Sequence, residues 1–310
     1  MNVVIINERA GGGAMADFFR RVEYRLYDAL GEFEVMFTDR RGHATELTRD
    51  ALRRGAKKVV VGGGDGTVNE TVNGFFDEAG ERIGDGAALG LLPGGTGGDL
   101  RKTLGIRDVD TALDALRNGH PRALDIGKLT YRADGGVTAV RHFINIASFG
   151  LSGRVDRFVP KFGALPGQWA YLLATVRAIW DHETPNISLK IDEHFEAEIP
   201  ITVVAVANGR FFGGGMRIAP QADPYDGCFD VTVLAGMSRM ELVGLARRIY
   251  DGSHIEDPKV LSERGRVVEA ASEEEVALDV DGEALGWLPA RFEVLPAAVP
   301  VWVPKTGESS

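Results

Sequence analysis

The chain has 310 residues, of which 44% are hydrophobic, with a net charge of −10 and a single cysteine, Cys228. That length can bury one large core or two smaller ones, and the acidic balance argues against a nucleic-acid partner, which needs a basic face. One cysteine excludes an intrachain disulfide framework and suits a reducing cytoplasm, while no apolar run approaches the roughly 18 residues of a membrane span.

The start, MNVVIINE, lacks a basic leader and reaches Glu8 early, so it reads as a first strand, VVII, and not as a signal peptide. ADFFRRVEYRLYDALG follows as an amphipathic helix ending at Gly31, then FEVMFT as a strand, HATELTRDALRRGA as a second helix and KVVVGG as a third strand. After ALGLLP, TALDALRNG (111–119) makes another helix. This β-α order with apolar strands predicts a doubly wound parallel sheet with helices on both faces. From Ala123 the texture changes to short alternating runs: LDIGKLTY, VRHFINIAS, ISLKIDEHFEAEIPITVVAVANG, FDVTVLAG and EVALDVDGE. These predict an antiparallel β-sandwich with helical insertions at 165–180 and 238–250. The predicted division is therefore 1–122, an α/β domain, and 123–290, a β-rich domain.

Two glycine-rich turns stand out, KKVVVGGGDGTVNETV (57–72) and ALGLLPGGTGGDLRKTLGI (88–106). Each stops an apolar run at a glycine cluster and is followed by a helix start, the arrangement in which exposed backbone N–H groups line an anion site. Ligands of open α/β sheets bind beyond the carboxyl ends of the strands, where both turns fall. Two adjacent turns point to a nucleoside polyphosphate. The P-loop, the dinucleotide fingerprint and the protein-kinase glycine loop all fail on spacing or on missing partners. Asp65, inside the first turn, is electrostatically odd among phosphate-binding amides unless a cation intervenes, which implies Mg²⁺. The plain alternative is an ordinary turn with Asp65 or Thr67 as helix cap.

With GGDGTVNE followed by LPGGTGGDL, the chain resembles the diacylglycerol kinase catalytic-domain family of lipid kinases. Further blocks match in order: Ile5-Ile6-Asn7 with Gly11, FTDRRGHATEL, RALDIGKL, INIASFGLSG, IAPQADPYDGCFDV and VDGEALG. The resemblance implies an α/β nucleotide-binding domain plus an antiparallel β-sandwich, an NAD kinase/diacylglycerol kinase-like fold, with the strands in 291–310 returning to the first domain. It implies that ATP is bound by Asn7, Gly11, Thr38, Gly62, Gly63, Gly64, Asp65, Gly66, Thr67, Asn69, Gly94, Gly95 and Thr96. Glu283 is implied as the proton acceptor and Asp125 as part of an acidic, metal-linked network. Asp223, Asp226 and Cys228 are implied as a Mg²⁺ loop, held by the Asp226 carboxylate and the carbonyls at 223 and 228. Ordinary alternatives stay open: a hairpin turn at Asp281-Gly282-Glu283, a strand-end acid at Asp125 and a surface turn at Asp226-Gly227. Two departures from the family pattern are Glu8 in place of proline and Gly98 in place of asparagine, and no lysine follows Gly11–Gly13.

FVPKFGALPGQWAYLLATVRAIW (158–180) is the candidate lipid-binding segment, with a core helix as its alternative. The expected activity is an ATP- and Mg²⁺-dependent lipid kinase acting on a diacylglycerol-like hydroxyl, cytoplasmic, with transient contact to the inner membrane face; a homodimer stays open. Two other readings are carried forward, an NAD kinase and a nucleotide-binding regulator without turnover.

Overall fold

In the computed structural model, which describes residues 1–94, 98–158 and 184–305, the chain forms two units. One comprises Met1–Ile126 with the chain from Pro296 onward, and the other Gly127–Leu295.

The first unit is built on parallel strands β1 (Asn2–Ile6), β2 (Glu34–Phe37), β3 (Lys58–Gly63) and β4 (Ala88–Pro93). They lie in the order β2-β1-β3-β4, and Val301 of the returning chain pairs in parallel with Leu89. Val3–Ile6 and Val59–Val61 are 0% exposed, as expected of β-branched strands covered on both faces. Helix α1 (Ala14–Leu30) buries Met15, Phe19, Val22, Leu26 and Leu30, a three-to-four-residue stripe, and ends at Gly31. Helix α2 (His43–Arg53) packs on α3 (Asp65–Asn73), which opens directly from the first glycine turn. A short α4 (Asp99–Thr103) follows the second turn, and α5 (Val109–Asn118) is capped by the Asp108 carboxylate on the Thr111 N–H. Side chains of α1 and α5 share a core with Val4, Ile6, Val60 and Leu92. Alternation along β1 turns Val3 and Ile5 to the opposite face.

The chain leaves this unit after Ile126, within β5 (His120–Arg132), and comes back at Pro296, within the last strand. Each crossing lies inside an unbroken strand, so no change of composition marks it near residue 122 or 290.

The second unit consists of the latter part of β5, β6 (Thr138–Phe143), β7 (Ile146–Gly150), α6 (Leu151–Phe158), β8 (Asn186–Ile191), β9 (Phe195–Ala207), β10 (Phe229–Ala235), α7 (Arg239–Asp251), β11 (Val260–Gly265), β12 (Val267–Ala271), β13 (Ala277–Val280) and the portion of β14 (Glu283–Val303) up to Leu295. Its pairing is antiparallel and closes on itself: β9 with β7, β7 with β13, β13 with β14, β14 with β12, β12 with β8, and β8 with β9. The long strands β9 and β14 each pair in one sheet with their first half and in the other with their second. Between the sheets, Phe143 stacks on Phe229 and Phe149 on Phe292. This is the expected sandwich. The insertion predicted at 238–250 is α7, started by a capping box of Ser238 and Glu241. The one predicted at 165–180 lies outside the described residues. No described helix is long and apolar enough to cross a membrane.

Candidate functional site

The first glycine turn is held from three sides. Gly64 precedes Asp65, the first residue of α3. Asn7, just past β1, donates from its N–H to the Gly62 carbonyl (2.9 Å) and from Nδ2 to Thr67 Oγ1 (2.9 Å). Thr67 in turn fills the space above Gly63, where an added methyl would lie 2.6 Å from its Oγ1. Thr38 hydrogen-bonds by its N–H to the Ile6 carbonyl (3.0 Å), placing the end of β2 beside that of β1. Asn69 is 1% exposed and its Oδ1 accepts from Asn73 Nδ2 (3.1 Å), so it is built into α3. Glu70 has a role the sequence did not disclose: its carboxylate accepts from the N–H groups of Gly42 (2.7 Å) and Ala44 (3.2 Å) and caps α2.

The second turn comes close to the first. Added methyls at Gly62 and Gly94 would lie 2.3 Å from Met15 Cε and 1.9 Å from Met15 Sδ, so both turns require glycine to admit the same thioether. A methyl at Gly11 would lie 3.6 Å from the Gly94 carbonyl oxygen, which sets the first turn after β1 beside the second glycine turn. Gly95 and Thr96 lie outside the described residues. At the far end of that turn, the Gly98 N–H donates to Asp65 Oδ2 at 2.9 Å, tying the two turns together. A small concavity is lined by Gly63, Gly64, Asp65, Leu91, Gly98 and Arg101, among others.

Burial pushes the Asp65 carboxyl above the ordinary aspartate range; the Gly98 N–H pulls it back, Asp99 adds to the rise, and Arg101 and Lys102 oppose it. Oδ2 is engaged by Gly98, and among the described residues Oδ1 has no hydrogen-bond partner. Asp65 therefore fits a Mg²⁺ ion carried in with a polyphosphate. Gly66 lies in the first turn of α3.

In the second unit the Asp281-Gly282-Glu283 turn divides its labour. Asp281 is 6% exposed, adopts φ +50°, and accepts from the N–H groups of Ile144 (3.0 Å), Asn145 (3.0 Å) and Ile146 (2.9 Å). It is an anion held by main-chain amides. Glu283 is partly exposed, with Arg141 Nη2 3.4 Å from its Oε2. Asp125 is 2% exposed and accepts from the N–H of Ala297 (2.7 Å), a residue with φ +50°, where the chain re-enters the first unit.

The loop containing Asp223, Asp226 and Cys228 is surrounded by guanidinium groups. Arg264 pairs with Asp226 Oδ2 and lies 3.5 Å from Asp230 Oδ2, while Asp226 Oδ1 accepts from the Cys228 N–H (3.1 Å). Arg210 donates to the Ala222 carbonyl (2.8 Å) and Arg266 to that of Gly227 (3.2 Å). Arg264 thus pairs with the same carboxylate that the resemblance gives to a magnesium ion. Among the described residues no cluster of three or more acidic, histidine or cysteine side chains is arranged for a metal. The candidate lipid segment, 158–180, lies outside the described residues except at its first position.

Residues 2–129 match the family described as diacylglycerol kinase catalytic domain, and residues 145–303 match the YegS C-terminal NAD kinase beta sandwich-like domain. The chain is 29% identical over 306 residues to a diacylglycerol kinase of Bacillus subtilis (strain 168), covering 97% of this chain and 96% of that protein. It is 28% identical over 305 residues to a diacylglycerol kinase of Staphylococcus carnosus (strain TM300), covering 97% and 94%. In fold it is similar to a diacylglycerol kinase from Bacillus anthracis str. Sterne, with a TM-score of 0.71 at 21% identity over 98% of this chain and 96% of that one. An NAD kinase from Archaeoglobus fulgidus, solved with ATP, gives a TM-score of 0.51 at 15% identity over 98% and 94%.

Proposed function

We propose, from the premise that this chain belongs to the diacylglycerol kinase catalytic-domain family, that it transfers the γ-phosphoryl group of ATP to a hydroxyl of diacylglycerol or a closely related lipid. The observation that carries this reading is the hydrogen bond from Gly98 to Asp65, which ties the two glycine turns and, among the described residues, leaves the second carboxylate oxygen without a hydrogen bond. Phosphoryl transfer asks mainly for positioning and for neutralisation of charge on the transferred group. Backbone amides of the two turns would bind the phosphate chain, with Gly64, whose Cα face is open, permitting its close approach, Gly62, Gly63 and Gly94 seating the turns against Met15 and Thr67, Gly66 opening the helix, and Asn7 and Thr67 bracing the first turn.

Magnesium brought in with ATP would supply positive charge at the β- and γ-phosphates, next to Asp65. The acceptor oxygen bonds to the γ-phosphorus as the bond from that phosphorus to the β,γ-bridging oxygen breaks. ADP departs with that electron pair, and the acceptor's proton passes to Glu283. An ordinary carboxylate cannot ionise an alcohol beforehand, so this proton transfer accompanies or follows bond formation. Asp125 contributes by fixing the backbone at Ala297. A lipid acceptor implies that the protein meets its substrate at a membrane surface without spanning it.

The test is purified protein with γ-labelled ATP, Mg²⁺ and separate acceptors: diacylglycerol in mixed micelles, a sphingoid base and NAD⁺. Label on diacylglycerol supports the proposal. Label on NAD⁺ alone would transfer the chain to the NAD kinase reading, which the fold likeness favours as the second choice. Nucleotide binding with no labelled product would favour a regulator.

A further inference from the structure

We infer that Arg101, folded over the bare Cα of Gly98, is the side chain that grips the phosphate chain of the nucleotide, an assignment that rests on the kinase reading above. A methyl group at Gly98 would lie 2.2 Å from Arg101 Nη2 and 2.6 Å from its Cζ and Nε. The guanidinium therefore occupies the volume that any other residue at 98 would fill with its own side chain. Gly98 also adopts φ +100°, which side-chain-bearing residues rarely accept. The asparagine that the resemblance leads one to expect at 98 and an arginine in this position exclude one another, so the departure at 98 and the placement of Arg101 are one structural event.

Arg101 lines the same concavity as Gly63, Gly64, Asp65 and Gly98. Burial lowers the pKa of the Arg101 guanidinium, and Asp65 and Asp99, within electrostatic reach, oppose that shift. Lys102 Nζ lies 2.7 Å from Asp99 Oδ1. Arg9, the basic residue nearest the Gly11–Gly13 turn in sequence, is exposed and lies outside that lining. A guanidinium presents a planar fork of donors that matches two phosphate oxygens at once, so one arginine can stand in for a lysine missing after the first turn.

The test is equilibrium binding of Mg²⁺·ATP and of adenosine to the full chain and its variants. Arg101→Ala is expected to weaken ATP by about tenfold or more, the size of one charge-assisted contact, and to leave adenosine unchanged. Arg101→Lys should recover part of the loss. Gly98→Ala, which displaces the guanidinium, should resemble Arg101→Ala, and the double variant should be no worse than either. Asp65→Asn provides the control for an indirect effect: if Arg101 only neutralises Asp65, its removal from the Asp65→Asn background costs nothing, and that result overturns the inference. Equal losses for ATP and adenosine would overturn it as well. Failure of the wild-type chain to bind ATP at all would defeat the kinase reading together with this one, whereas normal binding by Arg101→Ala defeats this one alone.

Discussion

The Gly98 N–H donates to Asp65 Oδ2 across 2.9 Å, so the carboxylate of one glycine turn is the anchor of the other. Under the proposed function Asp65 would serve two purposes, fixing the second turn through one oxygen and presenting charge through the other. Asp65→Asn keeps a carbonyl oxygen able to accept from Gly98 and removes the charge. Turnover should fall by about 10²-fold or more, the scale of losing one preorganised electrostatic group. Thermal stability should hold or rise, because the buried charge is itself costly. Paired kcat and Tm measurements check both halves, and a variant with undiminished kcat would remove Asp65 from the chemistry.

Asp65 also sets a pH signature. Burial raises its folded pKa above that of the unfolded chain, and Arg101 is among the groups that lower it again. The stability associated with this carboxyl is fully present below the unfolded pKa and lost as pH rises through the raised folded value. Ionised Asp65, which the proposed chemistry needs, appears over the same window. The acid limb of kcat/KM should thus lie above the ordinary aspartate range while stability changes in the opposite sense. Removing Arg101 takes away a lowering influence and should move that limb to higher pH. A rate profile of the Arg101→Ala variant displaced downward instead would contradict this electrostatic account.

Strand, glycine cluster and helix start are local signals, and for that reason both turns and the parallel sheet behind them are legible in the sequence. The sandwich is legible as well, because alternation along a strand reports a half-buried face. Residues joined across long separations are not. Asp65 meets Gly98 33 positions away, and Glu70 caps α2 through the N–H of Gly42, 28 positions earlier. Asp281 gathers three amides from residues 144–146, so its buried anion cannot be told from a hairpin acid by composition. The crossings between units hide for the opposite reason, since β5 and β14 run on without interruption. Arg101 is only three residues from Gly98 in sequence, but its placement depends on a backbone angle of φ +100° that no residue type spells out.

Asp281 and Glu283 should separate cleanly under mutation. Asp281→Ala strips the acceptor from three buried amides and should destabilise the chain by about 3 kcal/mol or more, each orphaned group costing on the order of 1–3 kcal/mol. Glu283→Gln leaves those amides satisfied. It should lower kcat by about 10²-fold while ATP affinity stays constant, as expected for a lost proton acceptor. Chemical denaturation and steady-state kinetics on the two variants provide the check. Near-normal turnover in Glu283→Gln would assign the proton to another group.

Arg264 gives the last prediction, because it stands at Asp226 as a built-in counter-charge. Asp230, beside it, is pushed up in pKa by burial, pulled down by Arg264 and pushed up again by Asp226. If the guanidinium holds this loop, a chelator should leave the thermal midpoint of the wild-type chain unchanged. Arg264→Met should lower it, because Asp226 and Asp230 then lose the guanidinium they share, with Arg210 left within electrostatic reach of Asp230. The sign of the pH effect follows from Asp230: its raised folded pKa means that the penalty is absent below the unfolded pKa and grows as pH rises through the folded one. The deficit of Arg264→Met should therefore be small in acid and large at neutral pH. A chelator-induced drop in the wild-type midpoint, reversed by added Mg²⁺, would instead mean that Arg264 gives way to a resident ion at Asp226.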